Sequence, residues 1–154
     1  MKDDTQAPMI KTEAIFLIES NFIRYPENSQ VIIPSVEIDY ESNVRDKIGQ
    51  GFLSVNITCT SQESGQKVFE ARIRYLGVFR EDESDPNMGI DEFMKVNAPA
   101  HMYPFVREFV ASLSTRSNMP SLILPPINIA AMIKVQLDGE VSDNKINIAP
   151  RDIK

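Results

Sequence analysis

The residues of this chain that could do chemistry are few and scattered. His101 is the only histidine and Cys59 the only cysteine. A zinc site or a histidine-assisted nucleophile would have to use them, yet they lie far apart and no third ligand type clusters near either. There is no glycine-rich phosphate loop and no G-x-S-x-G elbow. Carboxylates are plentiful, but none pairs with an obviously buried partner, as two-carboxylate hydrolysis requires. The acidic run at residues 80–91, REDESDPNMGID, lacks the spacing of a calcium loop and reads as a solvated crossing loop. His101 reads as a surface or interface histidine. The expectation is a chain with no catalytic residue, no metal and no cofactor.

Lys67, Arg72, Arg74 and Arg80 form a basic polar face on one strand-like segment, partly answered by Glu70 and Glu81. Two readings stand: cross-strand pairing with Glu37 and Asp39, or a docking site for an acidic partner.

These side chains need elements to hold them. The chain has 154 residues, 42% apolar and 25% charged, enough for one domain with a core. Its net charge of −6 argues against nucleic acid, whose phosphates demand a basic surface. No apolar run approaches the ~20 residues of a membrane span. The polar, acidic start at Met1, Lys2, Asp3 and Asp4 is unlike a secretory signal. A lone cysteine makes no internal disulfide and fits a reducing cytoplasm.

Residues 1–12 are expected to be a flexible terminus. The run at 14–25, AIFLIESNFIRY, is apolar on both parities. It predicts a strand covered on both faces by a further subunit, with a short buried helix as the competing reading. After Pro34, Val36, Ile38 and Tyr40 alternate with Ser35, Glu37 and Asp39, the pattern of a half-buried strand. A polar loop is expected at 41–50 and a second strand at 52–60, where Leu53, Val55, Ile57 and Cys59 share one face. Gly65 suits a hairpin loop, and the return strand runs over 67–79.

Residues 97–128, NAPAHMYPFVREFVASLSTRSNMPSLILPPIN, organise the rest. Asn97 is a good N-cap type and Pro99 fits a first helical turn. Met102, Val106, Phe109 or Val110, and Leu113 make one face apolar. Pro104 should kink the helix or tighten its first turn. Asn118 and Pro120 stop it. Leu122, Ile123, Leu124 and Ile127 are apolar, but Pro125 and Pro126 forbid a central strand, so this segment must lie extended against something. A short amphipathic helix follows Asn128 through Ile129, Met132, Ile133 and Leu137, and 138–154 reads as a flexible tail. Strands first and helices last give an α+β arrangement with the helices on one face.

The ordered set Tyr103, Pro104, Phe105, Val106, Arg107, Glu108, then Arg116, Pro120, Leu122, Leu124, Pro126 and Asn128, resembles the SecB family of bacterial export chaperones. The likeness extends loosely over residues 13–137, expected to form one domain. It implies a four-stranded antiparallel sheet with a long and a short C-terminal helix, assembled as a homotetramer, a dimer of dimers. Members of that family hold unfolded preproteins in long grooves, without ATP or a cofactor, and pass them to the motor SecA. A client groove would then be lined by Val36, Ile38, Tyr40, Val78, Ile127, Ile129, Met132 and Ile133. The dimer-of-dimers contact would run through Phe105, Phe109 and Leu113.

Some positions depart from the family pattern. Asn21, Tyr25 and Arg72 stand where acids of the SecA docking face are expected, and the tail holds four acids and three bases, a net of −1. SecA docking is therefore in doubt. SecB-like chaperones that guard an antitoxin need no such face. Two other classes also stay open: a structural or adaptor subunit whose apolar excess is permanently buried by its partner, and a small-molecule enzyme, for which no converging polar residues are found.

Overall fold

The computed structural model describes residues 10–82, 88–119, 121–126, 128–129, 145–147 and 151–152. Four long strands come first: β1 (Ile10–Arg24), β2 (Val31–Arg45), β3 (Ile48–Ser61) and β4 (Lys67–Glu81). Two helices follow, α1 (Ile90–Val96) and α2 (Ala98–Arg116), and then two short strands, β5 (Lys145–Asn147) and β6 (Arg151–Asp152). The sheet is antiparallel in the order β1-β4-β3-β2, with β5 and β6 both paired to the outer side of β2.

Alternation decides the two faces. On β3, Leu53, Val55, Ile57 and Cys59 are buried, while Ser54, Asn56, Thr58 and Thr60 between them stay half-exposed. Ile73, Tyr75 and Phe79 of β4 and Val36 and Ile38 of β2 join the buried set. Both helices pack on this face, α1 over β2 and β3, α2 over β3 and β4. The opposite face carries no helix among the described residues.

The helices sit close to the sheet because glycine lies beneath them. A Cβ on Gly77 would come 2.9 Å from Met102 Sδ and 2.8 Å from the Phe79 ring. A Cβ on Gly49 would overlap Met94. The two methionines, both fully buried, rest on bare backbone where any side chain would push them off.

Several boundaries differ from the sequence reading. The polar loop expected at 41–50 is mostly strand. β2 and β3 run on to a two-residue turn, Asp46-Lys47, with φ of 50° and 63°. That is the backbone of a tight hairpin, built without the glycine that normally marks it. Residues 90–96, expected within the crossing loop and the lead-in to the helix, form α1, and the Glu81 carboxylate accepts the Ile90 N–H at 2.9 Å. Asn97 does precede α2, but its side chain makes no capping bond; its amide instead donates to Met88 Sδ at 3.2 Å. Asn118 ends α2 in the left-handed region, φ 57°, with the Met119 N–H donating to the Ser114 carbonyl.

β1 explains its own mixed parity. Its register against β4 shifts between Leu17 and Glu19, leaving Ile18 as an extra residue. Before this bulge, Ile15 and Leu17 pair with Gly77 and Tyr75 on the helix face; after it, Phe22 pairs with Ala71 there. A bulge swaps which parity faces inward. Even so, Phe16, Leu17, Ile18 and Ile23 remain exposed in this single chain.

The short helix expected after Asn128 lies outside the described residues beyond Ile129. The flexible tail expected at 138–154 contains two stretches, β5 and β6, that pair with β2. Likewise residues 10–12, placed in the flexible N-terminus, begin β1.

Candidate functional site

The site is built from α2 and the extended segment that crosses back along it. Tyr103, Arg107 and Ser114 lie on one stripe of α2, at i, i+4 and i+11. Each fixes one backbone group of the crossing segment. The Tyr103 hydroxyl donates to the Pro125 carbonyl at 2.8 Å, and Arg107 Nε donates to the Leu124 carbonyl at 2.8 Å. The Ser114 hydroxyl accepts the Leu122 N–H at 2.7 Å and donates to the Ala111 carbonyl at 3.0 Å. Burial pushes the Tyr103 phenol up to about 12, against the opposing pull of Arg107.

The segment therefore runs antiparallel to α2 in extended form, as its prolines require. Leu122 and Leu124 point into the core, while Ser121, Ile123 and Pro126 face out, Ile123 with 52% exposure. Tyr103, Arg107 and Ser114 were not singled out for this clamp from the sequence. The available signal was their helical spacing within an otherwise apolar stripe.

The structure divides the expected groove residues. Val36, Ile38 and Ile129 are 1–2% exposed and belong to the same buried cluster as Leu122 and Leu124. Tyr40 is half-buried on the same face, and its hydroxyl donates to the Met94 carbonyl. Burial holds its phenol well above the ordinary range. Val78 pairs with Gln50 and Ala14 on the opposite face, so it does not converge with the others. Ile127, Met132 and Ile133 lie outside the described residues. Of the expected assembly residues, Phe105 is exposed and Phe109 and Leu113 are half-buried. Phe105 and Phe109 each lie 6.5 Å from the Tyr75 ring, and Tyr75 pairs with exposed Leu17. Apolar surface is thus continuous from α2 to the outer strand β1.

The open sheet face is laced with ion pairs. Arg74 meets Glu41 at 2.7 Å, Arg72 meets Glu19 at 3.4 Å, Arg80 meets Glu13 at 3.1 Å, and Lys67 meets Glu70 at 3.3 Å. Arg72 and Arg80 pair across to β1 and Arg74 reaches over β3 to β2, while Lys67 pairs within β4; the partners are not the expected Glu37 and Asp39, which stay exposed. Asn21 pairs in register with Arg72, and the Tyr25 hydroxyl donates to Glu70 at 2.6 Å. Arg74 also lies over the Phe52 ring at 4.8 Å.

Little here suits catalysis. Cys59 is buried and its thiol is pushed up to about 12, away from the reactive thiolate. His101 is exposed and lies beside the Phe93 ring, 5.5 Å away. Among the described residues no three histidine, cysteine or acidic side chains cluster as metal ligands, and no helix is long and apolar enough to cross a membrane.

Known proteins share this build. The protein-export protein SecB of Anaplasma marginale is 32% identical over 93 residues, which cover 60% of this chain and 52% of the relative, so the chain spans about half that relative's length. The protein-export protein SecB of Methylobacillus flagellatus is 26% identical over 145 residues, covering 90% of each. A Mycobacterium tuberculosis SecB-like chaperone, solved in complex with a peptide from the HigA1 antitoxin, superposes with a TM-score of 0.66 at 16% identity, covering 77% of this chain and 91% of that one. A family model described as preprotein translocase subunit SecB matches residues 4–140. With the four long strands, both helices and the crossing segment inside that match, this chain belongs to the SecB family, a family of non-enzymatic chaperones.

Proposed function

We propose that this chain is a holdase that binds unfolded preproteins without ATP or a cofactor and keeps them competent for the Sec translocase. The observation that carries the reading is the family match across residues 4–140. The export names of its relatives support it. A client lies extended along the outer side of β2 and over the crossing segment, through main-chain hydrogen bonds and shallow apolar contacts. Tyr40, Ile123, Ile127, Met132 and Ile133 supply those contacts. Val36, Ile38 and Ile129, buried below, set the strand and the floor.

The working particle is a cytoplasmic homotetramer, a dimer of dimers. Exposed Phe16, Leu17, Ile18 and Phe105 support this, since apolar surface of this kind calls for a partner. A chemically unfolded preprotein diluted into the chaperone should stay soluble without nucleotide. Aggregation at the rate seen in buffer alone would refute the reading.

A second reading, service to an antitoxin, is favoured by one observation. The open sheet face presents Asn21 opposite Arg72, and its arginines are tied to acids of β1 and β2. That leaves a poor platform for SecA. Isothermal titration with SecA separates the two: binding supports export, and silence favours the antitoxin role.

A further inference from the structure

We infer that the chain's own C-terminal segment occupies the outer side of β2, so that tail and client compete for one row of backbone hydrogen bonds. The inference rests on the proposed holdase function and adds a regulatory element to it.

β2 ends the four-stranded sheet, and an end strand offers unpaired N–H and C=O groups to any extended chain. Here the tail takes part of that row. Asn147, Ile146 and Lys145 pair antiparallel with Ser35, Val36 and Glu37; Arg151 and Asp152 pair with Ile32 and Val31. The register sets Ile146 against the core position Val36, and Lys145 against the acid Glu37. The tail sequence K-I-N-I repeats the apolar-polar alternation of β2 itself.

The pairing is built to be displaced. Strands of three and two residues make few ladder bonds, far fewer than a strand of ordinary length. Pro34 falls between the two paired stretches of β2 and Pro150 between β5 and β6, and neither has an N–H to donate. Beyond Glu37, residues 38–45 of β2 have no strand on their outer side among the described residues. An extended client segment can pair there first and then advance toward Val31, stripping the tail one pair at a time. A folded protein lacks a free extended segment and leaves the tail in place. The tail thereby covers a sticky strand edge between clients and sets a threshold for capture.

The test compares the full chain with its Ile146→Pro variant, in which β5 loses an N–H and the conformation it needs. Hydrogen exchange reads the amides of Ile32 and Val36, which face the tail while their neighbours pair with β3, and fluorescence anisotropy reads binding of reduced, carboxymethylated lactalbumin, a permanently unfolded chain. The variant is expected to exchange these amides about tenfold faster, as a locally opened edge does. It should also bind lactalbumin severalfold more tightly, and a free peptide of residues 141–154 should weaken that binding. Equal exchange and equal affinity in the two forms would overturn the inference while leaving the holdase intact. If neither form binds lactalbumin, the holdase reading fails and the competition falls with it.

Discussion

Arg107 donates from Nε to the main-chain carbonyl of Leu124 at 2.8 Å, tying the middle of the long helix to the middle of the proline-rich crossing segment. Tyr103 and Ser114 tie the segment on either side of that point. The clamp holds Leu122 and Leu124 in the core, where each buried leucine contributes about 2 kcal/mol.

Loosening the clamp should therefore lower stability without changing the fold. Tyr103→Phe removes one hydrogen bond and should cost about 1 kcal/mol in urea unfolding; Ser114→Ala removes two and should cost about 1–3 kcal/mol. Arg107→Ala should cost more, about 1.5–3 kcal/mol, because its bond is charge-assisted. Unchanged midpoints in all three would show that the segment is held by its leucines alone.

Val36 and Ile38 differ from the exposed apolar residues in what a charge would do. Ile38→Asp places a carboxylate at a site only 2% exposed and should cost about 3 kcal/mol or more, a large share of a domain's stability. Phe105→Asp, on the helix surface, should keep the circular dichroism spectrum and instead shift the particle to smaller mass. A folded, stable Ile38→Asp chain would mean that Ile38 lies open to a groove.

Close approach of helix to sheet makes Gly77 sensitive to size. Gly77→Ala brings a methyl against Met102 and Phe79 and should cost about 1–3 kcal/mol by overpacking. Adding Met102→Ala makes room, so the double variant should lose less than the sum of the two single changes. Simple additivity would show that the contact is not the cause.

Cys59 gives a pH signature. Burial raises its thiol to about 12, so in the folded chain it stays protonated where the unfolded chain already ionises. The unfolded state then binds fewer protons above pH ~9, and stability falls as pH rises from there toward 12. Cys59→Ala should flatten the profile between pH ~9 and ~10, above which the phenols of Tyr40 and Tyr103, also raised by burial, add to the fall. Iodoacetamide should label Cys59 only on unfolding; rapid labelling of the native chain would contradict its burial.

How much of this was legible in the sequence follows from the physics of each part. β3 and β4 could be read because one helix-covered face forces strict alternation. β1 was legible as a strand but its faces were not, because the extra residue Ile18 switches its parity midway and imitates a strand buried on both sides. The Asp46-Lys47 turn was read as part of a loop, since the positive φ values fall on residues that rarely adopt them. The clamp of Tyr103, Arg107 and Ser114 was hidden because its partners are carbonyls and an N–H, which no side-chain pattern reveals. Pairing of the tail with β2 was invisible for a similar reason: three residues of alternation are too few to separate a strand from a loop.

Assembly and the holding of an unfolded client by the assembled particle can be read in one experiment. Light scattering on a sizing column tests both most directly, with the protein alone and mixed with a chemically unfolded, slow-folding precursor. A particle of four chains that carries the precursor with it and needs no nucleotide is expected. An assembled particle from which the precursor always elutes separately would contradict that expectation, because the exposed apolar surface would then serve assembly alone.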